Sequence, residues 1–143
     1  MRLLGIDYGT KKTGIAVSDE TGQFAFPKRV FTTGNGLVAR VFDCVKEFAV
    51  EGIVIGESHD YQGKPNKIMN DVLSFKKELE GVTKLPVYLE PEYMTSAQAE
   101  RLQKELGGKK VKKGGESTGE LDMLDATAAA FILQSFLDKR RNA

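Results

Sequence analysis

The sequence has few of the residues that build disulfides, zinc sites and stacking platforms. Among its 143 residues are one cysteine, one histidine and no tryptophan. Cys44 lies on the apolar side of a helical pattern with no second cysteine, so disulfides and zinc sites are not expected. His59 is alone in a polar segment, which predicts a surface residue rather than a general base. Aromatic residues that could stack on single-stranded nucleic acid are sparse, although Tyr8, Tyr61 and Tyr93 are expected near the mouth of the sheet.

The chain also lacks a charge imbalance and a long apolar run. Lys and Arg number 21 against 20 Asp and Glu, a formal net charge of +1. Near-neutrality argues against a generally basic coat, so any affinity for nucleic acid must come from a local patch. No apolar run approaches membrane length, and the amino terminus has no signal-peptide layout. We therefore expect one soluble, cytoplasmic domain over residues 1–143 that does not bind membranes.

Hydrophobic spacing predicts an α/β fold with a mixed five-stranded sheet, three antiparallel strands followed by two parallel ones, flanked by helices. The predicted strands cover residues 2–8, 13–18, 23–31, 53–56 and 86–89. The predicted helices begin at Leu37, Ile68, Thr95 or Ser96, and about Glu120, and they end near Glu51, Leu79, Leu106 and Arg141. In the last helix, the residues expected to pack on the sheet are Leu121, Leu124, Ala128, Phe131, Ile132 and Phe136.

Asp7 is a carboxylate inside an otherwise apolar strand, and the glycine turn that follows predicts a β-hairpin. A buried Asp without a partner is costly, so we expect it to have one, in the first place a metal ion. An ordinary Asp hydrogen-bonded to the turn that it precedes is the alternative.

Other carboxylates fall where a shared site is expected. Glu57 ends the fourth strand, Glu92 follows the fifth, and Asp122 and Asp125 share one helical face. Sites in open α/β sheets form beyond the carboxyl ends of strands. Converging carboxylates repel one another unless divalent cations bind, and oxygen-only ligands suit Mg²⁺ or Mn²⁺. Together they predict metal-dependent phosphodiester hydrolysis. Each residue taken singly has a simpler interpretation. The two Asp residues would interact favourably with the positive end of the helix dipole, and the two Glu residues would be solvated surface carboxylates.

A glycine- and lysine-rich segment, residues 107–119, is the clear shift in composition. We expect a mobile loop that contributes affinity for nucleic acid rather than chemistry, and a solvated linker is the alternative. The lysines assigned to nucleic-acid binding are Lys109, Lys110, Lys112 and Lys113 of this loop, with Lys11 and Lys12 of the predicted hairpin. Lys28 and Arg29 extend the expected phosphate-binding rim.

Several motifs resemble one known family. The sequence LGIDYGTKKTGIAVSD at residues 4–19 closely resembles the opening motif of the YqgF family, the RuvX or Holliday-junction-resolvase-like group. The likeness continues through IVIG at 53–56, PEYMTSAQA at 91–99 and DATAAAFILQ at 125–134. Members of this family have an RNase H-like fold. The first and last motifs are specific, whereas the two middle ones are degraded.

The middle motifs depart from the family pattern. Glu57 is not a family residue, but it falls where the related RuvC resolvases place a catalytic glutamate. In the third motif Pro91 replaces an acidic residue and Tyr93 replaces an arginine, which leaves Glu92 as the matched carboxylate. The catalytic and metal-binding set that the resemblance implies is Asp7, Glu92 and Asp125, with Glu57 as a further catalytic residue and Asp122 as a further metal ligand.

The resemblance implies a nuclease that uses Mg²⁺ or Mn²⁺ on structured nucleic acid, in first place the 5′ end of the precursor of small-subunit (16S) ribosomal RNA. Cleavage of Holliday junctions is the alternative, and an inactive RNA- or protein-binding module is another. The partners implied are pre-rRNA or branched DNA and the precursor of the small ribosomal subunit. Either a monomer or a homodimer is compatible with the sequence, although junction resolution favours a two-fold dimer.

Overall fold

Five strands and three helices make up the described part of the chain. The computed structural model describes residues 1–58, 68–92 and 120–142, with the side chains of Ser58, Glu92 and residues 120–124 left out. The strands are β1 Leu3–Tyr8, β2 Lys12–Ser18, β3 Ala25–Thr32, β4 Gly52–Ser58 and β5 Val87–Glu92. The helices are α1 Leu37–Glu47, α2 Met69–Thr83 and α3 Glu120–Arg141. The predicted helix between Thr95 or Ser96 and Leu106 and the loop over 107–119 lie outside the described residues.

The sheet has the order β3-β2-β1-β4-β5. The first three strands pair antiparallel, while β4 pairs parallel with β1 and with β5. This arrangement confirms the predicted mixed sheet. In the described part of the sheet β3 and β5 are the edge strands, and each contains a proline, Pro27 in β3 and Pro91 in β5.

Alternation along the strands gives the sheet two buried faces. On one face Leu4 and Ile6 of β1 and Ile53 and Ile55 of β4 pack beneath α1 and α2. On the other face Leu3 of β1, with Ala16 and Val54 of its neighbours, packs against α3. These two layers fix which strand residues can reach which helix.

Helix α3 lies on the sheet through small residues. Ala126 and Ala129 are fully buried, and Leu133 packs on the same side. The prediction that Phe131 packs on the sheet was wrong, since its side chain is 45% exposed. The buried face of α3 is the one that carries these two alanines, because their small side chains let the helix approach the strands closely. Phe131 lies outside that face.

Some predicted boundaries move by a few residues. Helix α1 ends at Glu47 because Ala49 takes a left-handed backbone conformation (φ 51°), and the Val50 N–H returns to the Val45 carbonyl. Strand β3 starts later than predicted, after a turn in which the Asp19 carboxylate accepts the N–H groups of Gln23 and Phe24. No helix among the described residues is long and apolar enough to cross a membrane.

Candidate metal centre

Asp7 lies near the carboxyl end of β1 on the α3 side of the sheet. Leu3 packs under α3, and Gly5, two residues further, touches α3 directly. Because strand residues two apart share a face, Asp7 belongs to this side as well. Asp7 is partly exposed. Asp7 therefore leaves the strand toward the helix that carries Asp125.

Asp125 reaches the same place through a close contact between α3 and β2. Gly14 of β2 pairs directly with Asp7 of β1. A Cβ built on Gly14 would overlap the backbone carbonyl of Asp125 and lie 2.8 Å from the Ala126 nitrogen. Paired residues on antiparallel strands have Cα atoms about 4.5–5.5 Å apart, so the Asp125 backbone lies about one residue's width from Asp7. Asp7 and the backbone of Asp125 therefore lie on the same side of the sheet and at the same end of it.

Glu92 and Asp122 are described only by their backbones. Glu92 is the last residue of β5, whereas the sequence placed it just beyond the strand. It pairs with Ser58, two residues beyond the pair of Gly56 with Glu90. Asp122 is in the first turn of α3, three residues before Asp125.

Glu57 belongs to the opposite face. Ile53 and Ile55 of β4 pack with α1 and α2, and Glu57 continues that alternation without a break in register with β5. Gly56, two residues after Val54 of the α3 side, is the β4 residue that shares the face of Asp7 by alternation. We expected Glu57 to lie with the other carboxylates because it is at the end of a strand. That position determines at which end of the sheet the residue lies, but not on which face.

The donor chemistry at this end of the sheet fits a hard divalent cation. Asp7 and Asp125 offer carboxylate oxygens alone, and Mg²⁺ in proteins is bound through one or two carboxylates, with water and substrate phosphates completing its shell. Among the residues with described side chains, no group of three or more His, Cys, Asp or Glu is close enough to hold a metal ion. Glu92 and Asp122 fall outside that comparison.

Tyr8 follows Asp7 but faces the other layer of the molecule. Its ring centroid is 5.0 Å from that of Phe75 in α2. Burial raises the pKa of the Tyr8 hydroxyl, and the negative charges of Asp71 and Glu78 raise it further. Tyr8 therefore supports the packing of α2 rather than the surface that carries Asp7.

The predicted basic rim is only partly described. Lys11 is exposed in the β1–β2 turn, where its carbonyl accepts the Thr33 N–H, and Lys12 begins β2 on the same face as Gly14. Arg29 forms an ion pair with Glu47 of α1, and its charge is balanced there. Lys28 is exposed beside it. The loop lysines Lys109, Lys110, Lys112 and Lys113 lie outside the described residues.

Glu90 is a buried carboxylate that the sequence did not single out. It is 2% exposed, and its two oxygens accept hydrogen bonds from the Lys139 ammonium at 2.9 and 2.7 Å. The contact joins β5 to the carboxyl-terminal part of α3. The sequence offers one indication of this residue, a charged side chain within a predicted buried strand, two residues after Tyr88. It does not indicate the partner, because Lys139 follows 49 residues later.

Comparison with protein families gives one match over nearly the whole chain. The family model described as "RuvX: Holliday junction resolvase" matches residues 1–139. A protein named "Putative pre-16S rRNA nuclease" from Nitratidesulfovibrio vulgaris is 38% identical over 141 residues, covering 96% of this chain and 94% of that protein. A protein of the same name from Rickettsia conorii is 32% identical over 142 residues, covering 98% and 88%.

Solved structures with a similar fold include two resolvases. Thermus thermophilus RuvC superposes with a TM-score of 0.59 at 18% identity, covering 99% of this chain and 97% of RuvC. Fowlpox virus resolvase in complex with Holliday junction DNA gives a TM-score of 0.60 at 9% identity, covering 98% and 99%. At these identities the likeness establishes the fold, which is the RNase H-like fold of the RuvC resolvases.

Proposed function

Because this chain belongs to the RuvX family, we propose that it is a metal-dependent nuclease that hydrolyses phosphodiester bonds in structured nucleic acid. The observation that carries the proposal is the contact between Asp125 of α3 and Gly14, the strand partner of Asp7. This contact puts the backbone of Asp125 beside the strand pair that holds Asp7, which supports a site shared by the two side chains.

The proposed metal-binding set is Asp7, Asp125 and Glu92. Asp7 and Asp125 supply oxygen ligands from β1 and α3, and Glu92 extends the set from the end of β5. Asp122, one helical turn before Asp125, is an additional ligand in this proposal. Mg²⁺ or Mn²⁺ bound there would supply activation of water and stabilisation of the leaving oxygen. Glu57 is left out of this proposal, because alternation with Ile53 and Ile55 assigns it to the face on which α1 and α2 pack.

The residues around the carboxylates bind and orient the phosphate backbone in this proposal. Lys11 and Lys12 lie in the turn and strand that follow Asp7. Their ammonium groups attract phosphates without reading base identity, and they offset the repulsion between an acidic site and a polyanion. The loop lysines, Lys109, Lys110, Lys112 and Lys113, extend this role by their charge.

The first-choice substrate is the precursor of 16S ribosomal RNA, cleaved at its 5′ end. Support comes from the names of relatives that are 38% and 32% identical over nearly their full lengths. The resolvases of known structure share the fold at much lower identity, so Holliday junctions are the second choice. The net charge of the protein does not distinguish the RNA substrate from the DNA junction, because both present a phosphate backbone.

A direct comparison of substrates tests this proposal. Purified protein is incubated with a pre-16S rRNA fragment and with a synthetic four-way junction, each with Mg²⁺, with Mn²⁺ and with excess chelator. We expect metal-dependent cleavage of the RNA and slower or no cleavage of the junction. Faster resolution of the junction would replace the RNA substrate with the DNA one. Binding without cleavage of either substrate in both metals would favour a nucleic-acid-binding module.

A further inference from the structure

We propose that Gly14 is a positioning residue for the metal centre, which sets how close Asp125 comes to Asp7. The proposal rests on the proposed function, since it gives Gly14 a role toward the same two carboxylates. It adds to that function a residue without any side-chain chemistry of its own.

The contact at Gly14 is made by the backbones of two elements. An ideal Cβ on Gly14 would overlap the Asp125 carbonyl and would lie 2.8 Å from the Ala126 nitrogen. Any side chain at this position therefore requires helix or strand to move, because neither backbone atom can rotate away. Since Gly14 is paired with Asp7, the displacement falls on the residues that hold the two carboxylates.

A second glycine supports the same helix further along. A Cβ on Gly5 would lie 2.7 Å from the Leu133 Cβ and 2.9 Å from the Ala129 carbonyl. Ala129 and Leu133 follow Asp125 by one and two turns, about 6 and 12 Å along the axis. Gly5 and Gly14 thus allow close packing at two points of α3, but only Gly14 does so at Asp125.

Metal binding is more sensitive than folding to a shift at this point. A methyl group at Gly14 would lie 2.0 Å from the Asp125 carbonyl oxygen, whereas ordinary van der Waals contact begins at 3.4 Å, so the helix has to move by more than an ångström. Mg²⁺ demands oxygen ligands at about 2.0–2.1 Å in near-ideal geometry, so a shift of that size removes a ligand from its position. The same shift at Gly5 disturbs packing but leaves the start of α3 against β2.

The test compares Gly14→Ala with Gly5→Ala. Mn²⁺ affinity is measured by calorimetry and by electron paramagnetic resonance of the free ion, with thermal unfolding measured in parallel. Wild-type protein and Asp7→Asn define the two limits of binding. We expect both alanine variants to melt at lower temperature, with Mn²⁺ affinity at least tenfold weaker in Gly14→Ala and within about threefold of wild type in Gly5→Ala. Gly81→Ala, where no atom lies within 4 Å of the added Cβ, serves as the variant without a clash.

The outcomes separate this inference from the proposed function. Wild-type protein that binds no Mn²⁺ would overturn both. Metal binding that is lost in Asp7→Asn but equal in Gly14→Ala and Gly5→Ala would overturn the positioning role alone. If Gly14→Ala does not fold, Ala126→Ser replaces it, since the Ala126 nitrogen lies at this contact and its side chain is fully buried. Wild-type Mn²⁺ affinity in that variant would also overturn the role of this contact.

Discussion

Asp7 and Glu57 lie near the carboxyl ends of neighbouring parallel strands, yet alternation assigns them to opposite faces of the sheet. Asp7 follows Leu3 and Gly5 toward α3, whereas Glu57 follows Ile53 and Ile55 toward α1 and α2. Two carboxylates that look equivalent in the sequence therefore have different expected roles.

The first prediction compares Asp7→Asn with Glu57→Gln. Each change keeps the shape of the side chain and removes one negative charge. We expect Asp7→Asn to lose metal-dependent cleavage by about a thousandfold or more, because a ligand is removed from the proposed centre. Its melting temperature should be unchanged or higher without metal, since repulsion between carboxylates falls. Glu57→Gln is expected to keep activity within a few-fold of wild type. Equal activity in Asp7→Asn and wild type would remove Asp7 from the reaction.

The second prediction concerns the ion pair between Glu90 and Lys139. Lys139→Met leaves the buried Glu90 carboxylate without its ammonium partner and should lower the free energy of unfolding by about 1–2 kcal/mol. The lysine side chain is 62% exposed, which reduces the effect below that of a fully buried pair. Arg141→Met breaks the exposed pair with Asp138 and is the matched control, with a loss below about 0.5 kcal/mol. Urea unfolding measures both, and equal losses would contradict a special role for the buried pair.

The third prediction follows from the turn that precedes β3. Hydrogen bonds from Thr21 and from the Phe24 and Gln23 N–H groups lower the pKa of Asp19 from 3.8 to about 2. A depressed pKa stabilises the folded state above the unfolded value, so this contribution is complete above about pH 4 and disappears toward pH 2. Asp19→Asn should therefore melt below wild type at pH 6, with the gap closing as the pH falls to 2. A gap of the same size at both pH values would contradict the charge-based explanation.

The fourth prediction tests the loop lysines through salt dependence. Replacing Lys109, Lys110, Lys112 and Lys113 with glutamine should weaken nucleic-acid binding and reduce the slope of log affinity against log salt by about three to four. The cleavage rate at saturating substrate should change little, since the loop is assigned to affinity. Lys77→Gln, on the exposed side of α2, controls for the loss of positive charge elsewhere. An unchanged slope would make the loop a solvated linker.

The predictable part of the fold was the part governed by local periodicity. Alternation over Leu3–Tyr8 and the apolar run that starts at Ile53 lie in observed strands, because strand spacing is visible in a short window. Phe131 was misplaced because the helix pattern does not say which of several apolar stripes meets the sheet. That choice is made by Ala126 and Ala129, whose small side chains permit close approach.

The candidate site was less predictable than the fold, for a related reason. Sequence spacing identified the strand ends at which Glu57 and Glu92 occur, but a face is fixed only once the register of each strand is known. Asp125 and Gly14, which are in contact, are 111 positions apart in the sequence, and the paired residues Glu90 and Lys139 are 49 positions apart. Contacts of this kind are created by tertiary packing and leave no local pattern in the sequence.

The prolines in the two edge strands bear on how this protein behaves in a crowded solution. Pro27 removes a backbone donor from β3 and Pro91 removes one from β5, and the exposed Lys28 adds a positive charge beside Pro27. A strand from another molecule that paired there would meet a missing hydrogen bond and, at β3, buried charge as well. Sheet extension is thereby discouraged even though Phe24 and Phe26 are about half exposed at 55% and 49%. Two exposed aromatic rings at this edge therefore need not lead to polymerisation through strand pairing.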